Sequence, residues 1–124
     1  IVATYNALKQ KQYNESWVIF QPHTYSRTKN LLNDFVNALI NFDNIIVTDI
    51  YAARENNTYN ISAKDLVDKI NELIKGTKKE AIYISDFNEI VKYVKENAKP
   101  SDIVLTLGAG TVTEIGPMLV EENI

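Results

Sequence analysis

A histidine and an arginine four positions apart stand just past an apolar run, in Phe20-Gln21-Pro22-His23-Thr24-Tyr25-Ser26-Arg27-Thr28. The stretch reads as a loop that feeds a helix. The first turn of a helix offers unpaired amides and a partial positive charge, which favour an anion. Arg27 falls in that turn, where a guanidinium works against the dipole, so its presence asks for a reason. An anionic ligand or a nearby carboxylate supplies one, through forked charged hydrogen bonds of about 1.5–3 kcal/mol when partly buried. The other reading is a surface arginine paired with Asp34 or with water. His23 follows Pro22, whose ring pins the backbone. Its imidazole either enters a cleft or satisfies carbonyls of its own loop. Thr24, Ser26 and Thr28 are good helix caps first and ligand hydroxyls second.

A second chemically suggestive stretch is Leu107-Gly108-Ala109-Gly110-Thr111. Its glycines allow a sharp turn and a close backbone approach to a ligand. A dinucleotide fingerprint needs a third glycine, which is missing, and a phosphate loop needs a lysine. A tight turn into a last helix is the plainer reading. A third stretch, Tyr51-Ala52-Ala53-Arg54-Glu55-Asn56, is polar. Arg54 and Glu55 pair with each other, or the segment helps to hold the cleft loop. Asp49, just before it, is placed to orient Arg27 or Arg54. Lys78-Lys79-Glu80 reads as a solvated connector. No Ser/His/Asp arrangement and no nucleophile elbow is present, and no residue is assigned as catalytic.

These loops need elements to hold them. Trp17-Val18-Ile19-Phe20 is a compact apolar run, read as a buried strand. Leu31, Leu32, Phe35, Val36, Leu39 and Ile40 then recur at helical spacing, predicting one helix over Ser26 to Asn41. Ile45-Ile46-Val47, with Ile50, is a second strand. Ser62 and Asp65 make a capping box for a helix carrying Leu66, Val67, Ile70, Leu73 and Ile74 on one face, with Gly76 as its stop. Ala81 to Ser85 is a third strand, Asp86 caps a further helix, and Asp102 to Leu107 is a fourth strand. Helices are also expected over Ala3 to Gln12 and Thr111 to Glu122.

Strands alternating with helices predict a Rossmann-like, doubly wound α/β fold. Its sheet is mostly parallel, with helices on both faces. Right-handed crossovers order the strands third, second, first, fourth. That order puts a switch point between the first and fourth strands, and ligands bind outside the carboxyl ends of strands at such points. His23, Thr24 and Arg27 then face Gly108, Ala109 and Gly110, with Asp49 and Arg54 on the neighbouring loop.

Composition narrows the classes. At 124 residues the chain has room for one domain with its own core. It holds no cysteine and a single histidine, which excludes disulfides, thiolate metal sites and an all-histidine metal centre. A net charge of −3 argues against a nucleic-acid binder. No apolar run approaches the roughly 20 residues that span a bilayer, and nothing resembles a signal peptide. The chain opens in mid-pattern without methionine, suggesting a piece of a longer polypeptide.

Val18 to Thr28, Asp49-Ile50-Tyr51-Ala52-Ala53-Arg54-Glu55 and Leu107 to Gly110 together resemble the C-terminal domain of the Mur ligases of peptidoglycan synthesis. The branch they resemble joins L-alanine to UDP-N-acetylmuramate. The similarity covers nearly the whole chain, and the first stretch is the most specific. It implies a three-domain, cytoplasmic bacterial enzyme, of which 1–124 is the closing, amino-acid-binding domain. ATP and magnesium would bind mainly outside this domain, and the N-terminal and central domains would be its partners. L-alanine, UDP-N-acetylmuramate and ATP would be the substrates, with ADP formed through an acyl phosphate. By resemblance His23 and Arg27 match cleft positions, and Arg27 would hold the alanine carboxylate or the reacting acyl group. Two departures stand out: some relatives carry arginine where this chain has Thr24, and Asp or Asn where it has Thr111. A ligase that attaches a preformed peptide, or a free-standing small-acid or nucleotide-binding domain, is the alternative.

Overall fold

Along β1 (Ser16–Gln21) side chains alternate between two buried surfaces. Val18 and Phe20 pack into one core with Val36, Leu39, Leu66, Val67 and Ile70. Trp17 and Ile19 pack into another with Ile90, Val91, Val94, Val112 and Ile115. A strand buried on both faces needs apolar residues at every position, which is why this one reads as an unbroken run. The computed structural model describes residues 13–108 and 111–116, without the side chains of Thr111 and Thr113. The helix expected over 3–12 lies outside the described residues, as does the part beyond 116 of the one expected over Thr111 to Glu122.

After β1 come α1 (Tyr25–Asn30), α2 (Leu32–Leu39), β2 (Asn44–Val47), α3 (Ala63–Leu73), β3 (Glu80–Tyr83), α4 (Phe87–Asn97) and β4 (Ile103–Gly108). A 3₁₀ turn, Thr111–Glu114, follows. The four strands are parallel, in the order β3-β2-β1-β4. Helices α2 and α3 cover one face, and α4 with the 3₁₀ turn covers the other. The doubly wound α/β architecture and its switch point are as the sequence predicts.

Local signals account for several boundaries. The Asp65 carboxylate accepts the Ser62 amide at 2.8 Å, opening α3, and Asp86 accepts the Asn88 amide at 2.7 Å, opening α4. Gly76 takes φ 85° just past α3. Leu66, Val67 and Ile70 are buried along one face of α3, each contributing about 1.5–3 kcal/mol of hydrophobic stabilisation. One expectation needs correcting. The helix over Ser26 to Asn41 is two helices meeting at Leu31, whose φ and ψ are −107° and 17°. The ladder runs on through Leu31 N–H to Arg27 O and Phe35 N–H to Leu31 O, so this is a bend. The two segments answer to different anchors: α1 to the polar loops at its start, α2 to the core through Val36, Ala38 and Leu39.

Candidate functional site

β1 and β4 run side by side to their carboxyl ends, where Gln21 is paired with Gly108. At that pair the chains come too close for any side chain at position 108. An added Cβ would collide with the Gln21 carbonyl oxygen and sit 3.2 Å from its carbon, and Gly108 itself has φ 134°. The pairing of the two strands ends here. Gln21 bridges them: its buried side-chain carbonyl accepts the Val112 amide at 3.1 Å, tying the 3₁₀ turn to the end of β1.

An open pocket of about 260 Å³ lies at this end of the pairing, lined by Phe20, Gln21, His23, Arg27, Phe35, Leu107 and Gly108. Its floor is apolar, with the Phe20 and Phe35 rings 5.2 Å apart. His23 and Arg27 line the pocket from the loop after β1 and the first turn of α1. Arg27 is exposed, and among the described residues its guanidinium makes no hydrogen bond or ion pair. The pairing with Asp34 that the sequence left open is not formed.

The loop leading to Arg27 is held by its backbone. Tyr51 N–H donates to Pro22 O at 2.8 Å, and Thr24 N–H donates to Tyr51 O at 2.8 Å, extending the β1–β2 pairing past both strands. His23 bridges to Tyr51 and stacks on its ring, with centroids 5.8 Å apart and planes at 15°. Thr24 has φ 62° and ψ 150°, a conformation favoured almost solely by glycine. Its neighbours hold it there. Its hydroxyl accepts the Arg27 amide at 3.3 Å, and its carbonyl accepts the Thr28 hydroxyl at 2.6 Å and the Thr28 amide at 3.2 Å.

The start of α1 is already occupied by a carboxylate. Glu55 accepts the Ser26 amide at 2.9 Å and the Ser26 hydroxyl at 2.6 Å. The Ser26 hydroxyl and amide hold the Glu55 carboxyl below the usual range against the opposing effect of burial, with help from the Tyr25 amide and His23. The helix start thus has its own anion, and Glu55 is paired with Ser26 rather than with Arg54.

The chain matches the Mur ligase, glutamate ligase domain family over residues 1–110. It belongs to the Mur ligases. The UDP-N-acetylmuramate–L-alanine ligase of Caldanaerobacter subterraneus subsp. tengcongensis is 51% identical over 123 residues, 99% of this chain and 26% of that protein. The ligases of the same name from Acetivibrio thermocellus and Lachnoclostridium phytofermentans are 44% and 47% identical, over 99% and 98% of this chain and 25% of each protein. The chain therefore spans about a quarter of the length of these relatives.

In this Mur ligase domain the residues singled out from sequence divide into two groups. His23, Arg27 and Gly108 meet at one pocket. Thr24 turns its side chain to the helix start and is not among the lining residues. Asp49 takes hydrogen bonds from Tyr83 and Ser85, at the ends of β2 and β3, and not from either arginine. It borders a different pocket, with Tyr25, Asn57 and Ser62. Arg54 is exposed in a turn at φ 72°. Ala109 and Gly110 lie outside the described residues, as does the side chain of Thr111. Gln21 and Leu107 stood in the two stretches singled out from sequence but were given no role, and Phe35 was missed. A glutamine ending an apolar strand was the available signal for Gln21; Phe35 read as ordinary core.

Proposed function

We propose that this chain is the acceptor-binding domain of an ATP-dependent ligase that joins L-alanine to UDP-N-acetylmuramate in the bacterial cytoplasm. The observation that carries the proposal is Arg27 lining the pocket between β1 and β4, its guanidinium unpaired among the described residues. Its support is the similarity to ligases of that name over almost the whole chain.

In the proposed reaction the lactyl carboxylate of UDP-N-acetylmuramate is phosphorylated by ATP, with release of ADP. The amine of L-alanine then attacks the acyl carbon, the amide C–N bond forms, and phosphate leaves with the C–O electron pair. Arg27 acts by binding and orientation. A guanidinium stays protonated at any working pH and donates two parallel hydrogen bonds, which suits a carboxylate and disqualifies it as a base. Holding the alanine carboxylate at the pocket leaves the amine turned toward the reacting carbonyl, and that pre-orientation lowers the barrier. His23 lies beside it as a second polar contact. Phe20, Phe35 and Leu107 give the pocket an apolar wall for the methyl group and limit water.

ATP and magnesium are assigned mainly to the central domain of the full enzyme, and the UDP-sugar to its N-terminal domain. Among the described residues no three carboxylate or imidazole side chains converge as a metal site, and no step here is routed through one. No helix among the described residues is long and apolar enough to cross a membrane. The isolated 124-residue chain is expected to release no ADP.

The test is Arg27→Ala in the full-length enzyme. The KM for L-alanine should rise about ten- to a hundredfold, the equivalent of losing one charged hydrogen-bonded pair. The melting temperature should hardly change, because the side chain is exposed. Alanine kinetics equal to wild type would remove Arg27 from the site.

A further inference from the structure

The carboxylate that occupies the start of α1 comes from 29 residues away in sequence. It is delivered by a turn in which Ala53 and Arg54 have φ 51° and 72°, closed by Glu55 N–H donating to Ala52 O at 2.9 Å. Two successive non-glycine residues in the left-handed region are costly and persist where surrounding contacts over-determine them. Here those contacts are the two hydrogen bonds from Ser26 and the two backbone bonds between Pro22, Thr24 and Tyr51. The loop after β2 therefore grips the loop after β1 at both ends of its turn into the helix. Ser26, the residue Glu55 holds, immediately precedes Arg27.

We propose that Glu55 is a positioning residue for the acceptor amino acid. It fixes Ser26 and the first turn of α1, so that the Arg27 guanidinium stands at the pocket. α1 has six residues and no acidic residue of its own in its first turn, so this remote carboxylate joins the Thr24 hydroxyl in fixing its start. The inference rests on the reading of Arg27 as the carboxylate contact, and it adds that the Tyr51 to Glu55 loop governs that contact without touching substrate.

A double-mutant cycle in the full-length enzyme tests it, with KM for L-alanine, KM for the other two substrates and kcat measured separately. Glu55→Ala should raise the alanine KM about five- to twentyfold and leave the KM values for ATP and the UDP-sugar within about twofold. In an Arg27→Ala background the same change should add less than about twofold, because its route to substrate is gone. Glu55→Gln should fall between, since its amide oxygen still accepts the Ser26 N–H while its amide nitrogen cannot accept the hydroxyl. Should Glu55→Ala fold poorly, Ser26→Ala removes the hydroxyl half of the contact alone and must show the same coupling to Arg27. Effects of Glu55→Ala and Arg27→Ala that multiply independently would overturn the inference, as would an unchanged alanine KM in Glu55→Ala beside an impaired Arg27→Ala. An unimpaired Arg27→Ala would instead overturn the reading beneath it, and this inference with it.

Discussion

Gly108 lies against the backbone of Gln21 so closely that its missing Cβ is a structural requirement. The pair marks where β1 and β4 stop being neighbours, and the pocket opens from that point. Gly108→Ala meets both a backbone collision and a φ of 134°, so it should cost about 2–4 kcal/mol or displace the end of β4. Urea unfolding of the 124-residue chain measures this. A variant within 0.5 kcal/mol of wild type, a threshold at about the level of ordinary surface changes, would show that the strand end yields freely.

Thr24 sets two effects against each other. Its backbone conformation suits glycine, while its hydroxyl caps the Arg27 amide. Thr24→Gly loses the cap and relieves the backbone; Thr24→Ala loses the cap and keeps the strain. Thr24→Ala should therefore be the less stable of the two, by about 1 kcal/mol or more. Denaturation midpoints of both variants decide the order, and the reverse order would mean the loop relaxes to ordinary φ in solution.

Asp102 gathers the Trp17 indole N–H at 3.0 Å, the Asn14 amide at 3.1 Å and the backbone N–H groups of Glu15 and Lys99 at the far end of the sheet. Burial pushes its carboxyl up, but the Lys99 amide, the Trp17 indole and the other donors outweigh it and hold it below the ordinary range. A depressed carboxyl contributes stability that is whole above its unfolded value and lost as pH falls through its folded one. The melting temperature should drop from about pH 5 downward, and Asp102→Asn should flatten that slope. Equal acid slopes for variant and wild type would exclude Asp102 as a source.

Tyr83 shows the opposite sign. Its hydroxyl donates to Asp49, which, with burial, raises its ionisation above the usual tyrosine value. That contribution is intact below the unfolded pKa and disappears as pH climbs through the raised folded one. Asp49→Asn should bring the Tyr83 midpoint back down, read by NMR titration of isotope-labelled tyrosine. A midpoint that stays put would place the shift in burial rather than in Asp49.

Strand order, both cores and the helix caps at Ser62 and Asp86 were legible because periodicity and capping are local and repeat over many residues. The break at Leu31 was not, because its two halves obey anchors far apart in the chain. The convergence of His23, Arg27 and Gly108 followed from topology, since parallel crossovers bring the ends of β1 and β4 together whatever their side chains. The partners of Asp49 and Glu55 did not follow. Both carboxylates sit near arginines in sequence, yet Asp49 turns to Tyr83 and Ser85 and Glu55 to Ser26.

By itself the amino-acid order determined a parallel α/β sheet, its switch point and a cation placed beside it, since alternation of apolar runs and helical stripes admits few packings. The tertiary structure alone decided which carboxylate meets which donor. Exposed charges choose partners by distance and angle, and those depend on how separate loops fold over the strand ends. That choice left the Arg27 guanidinium without a carboxylate among the described residues.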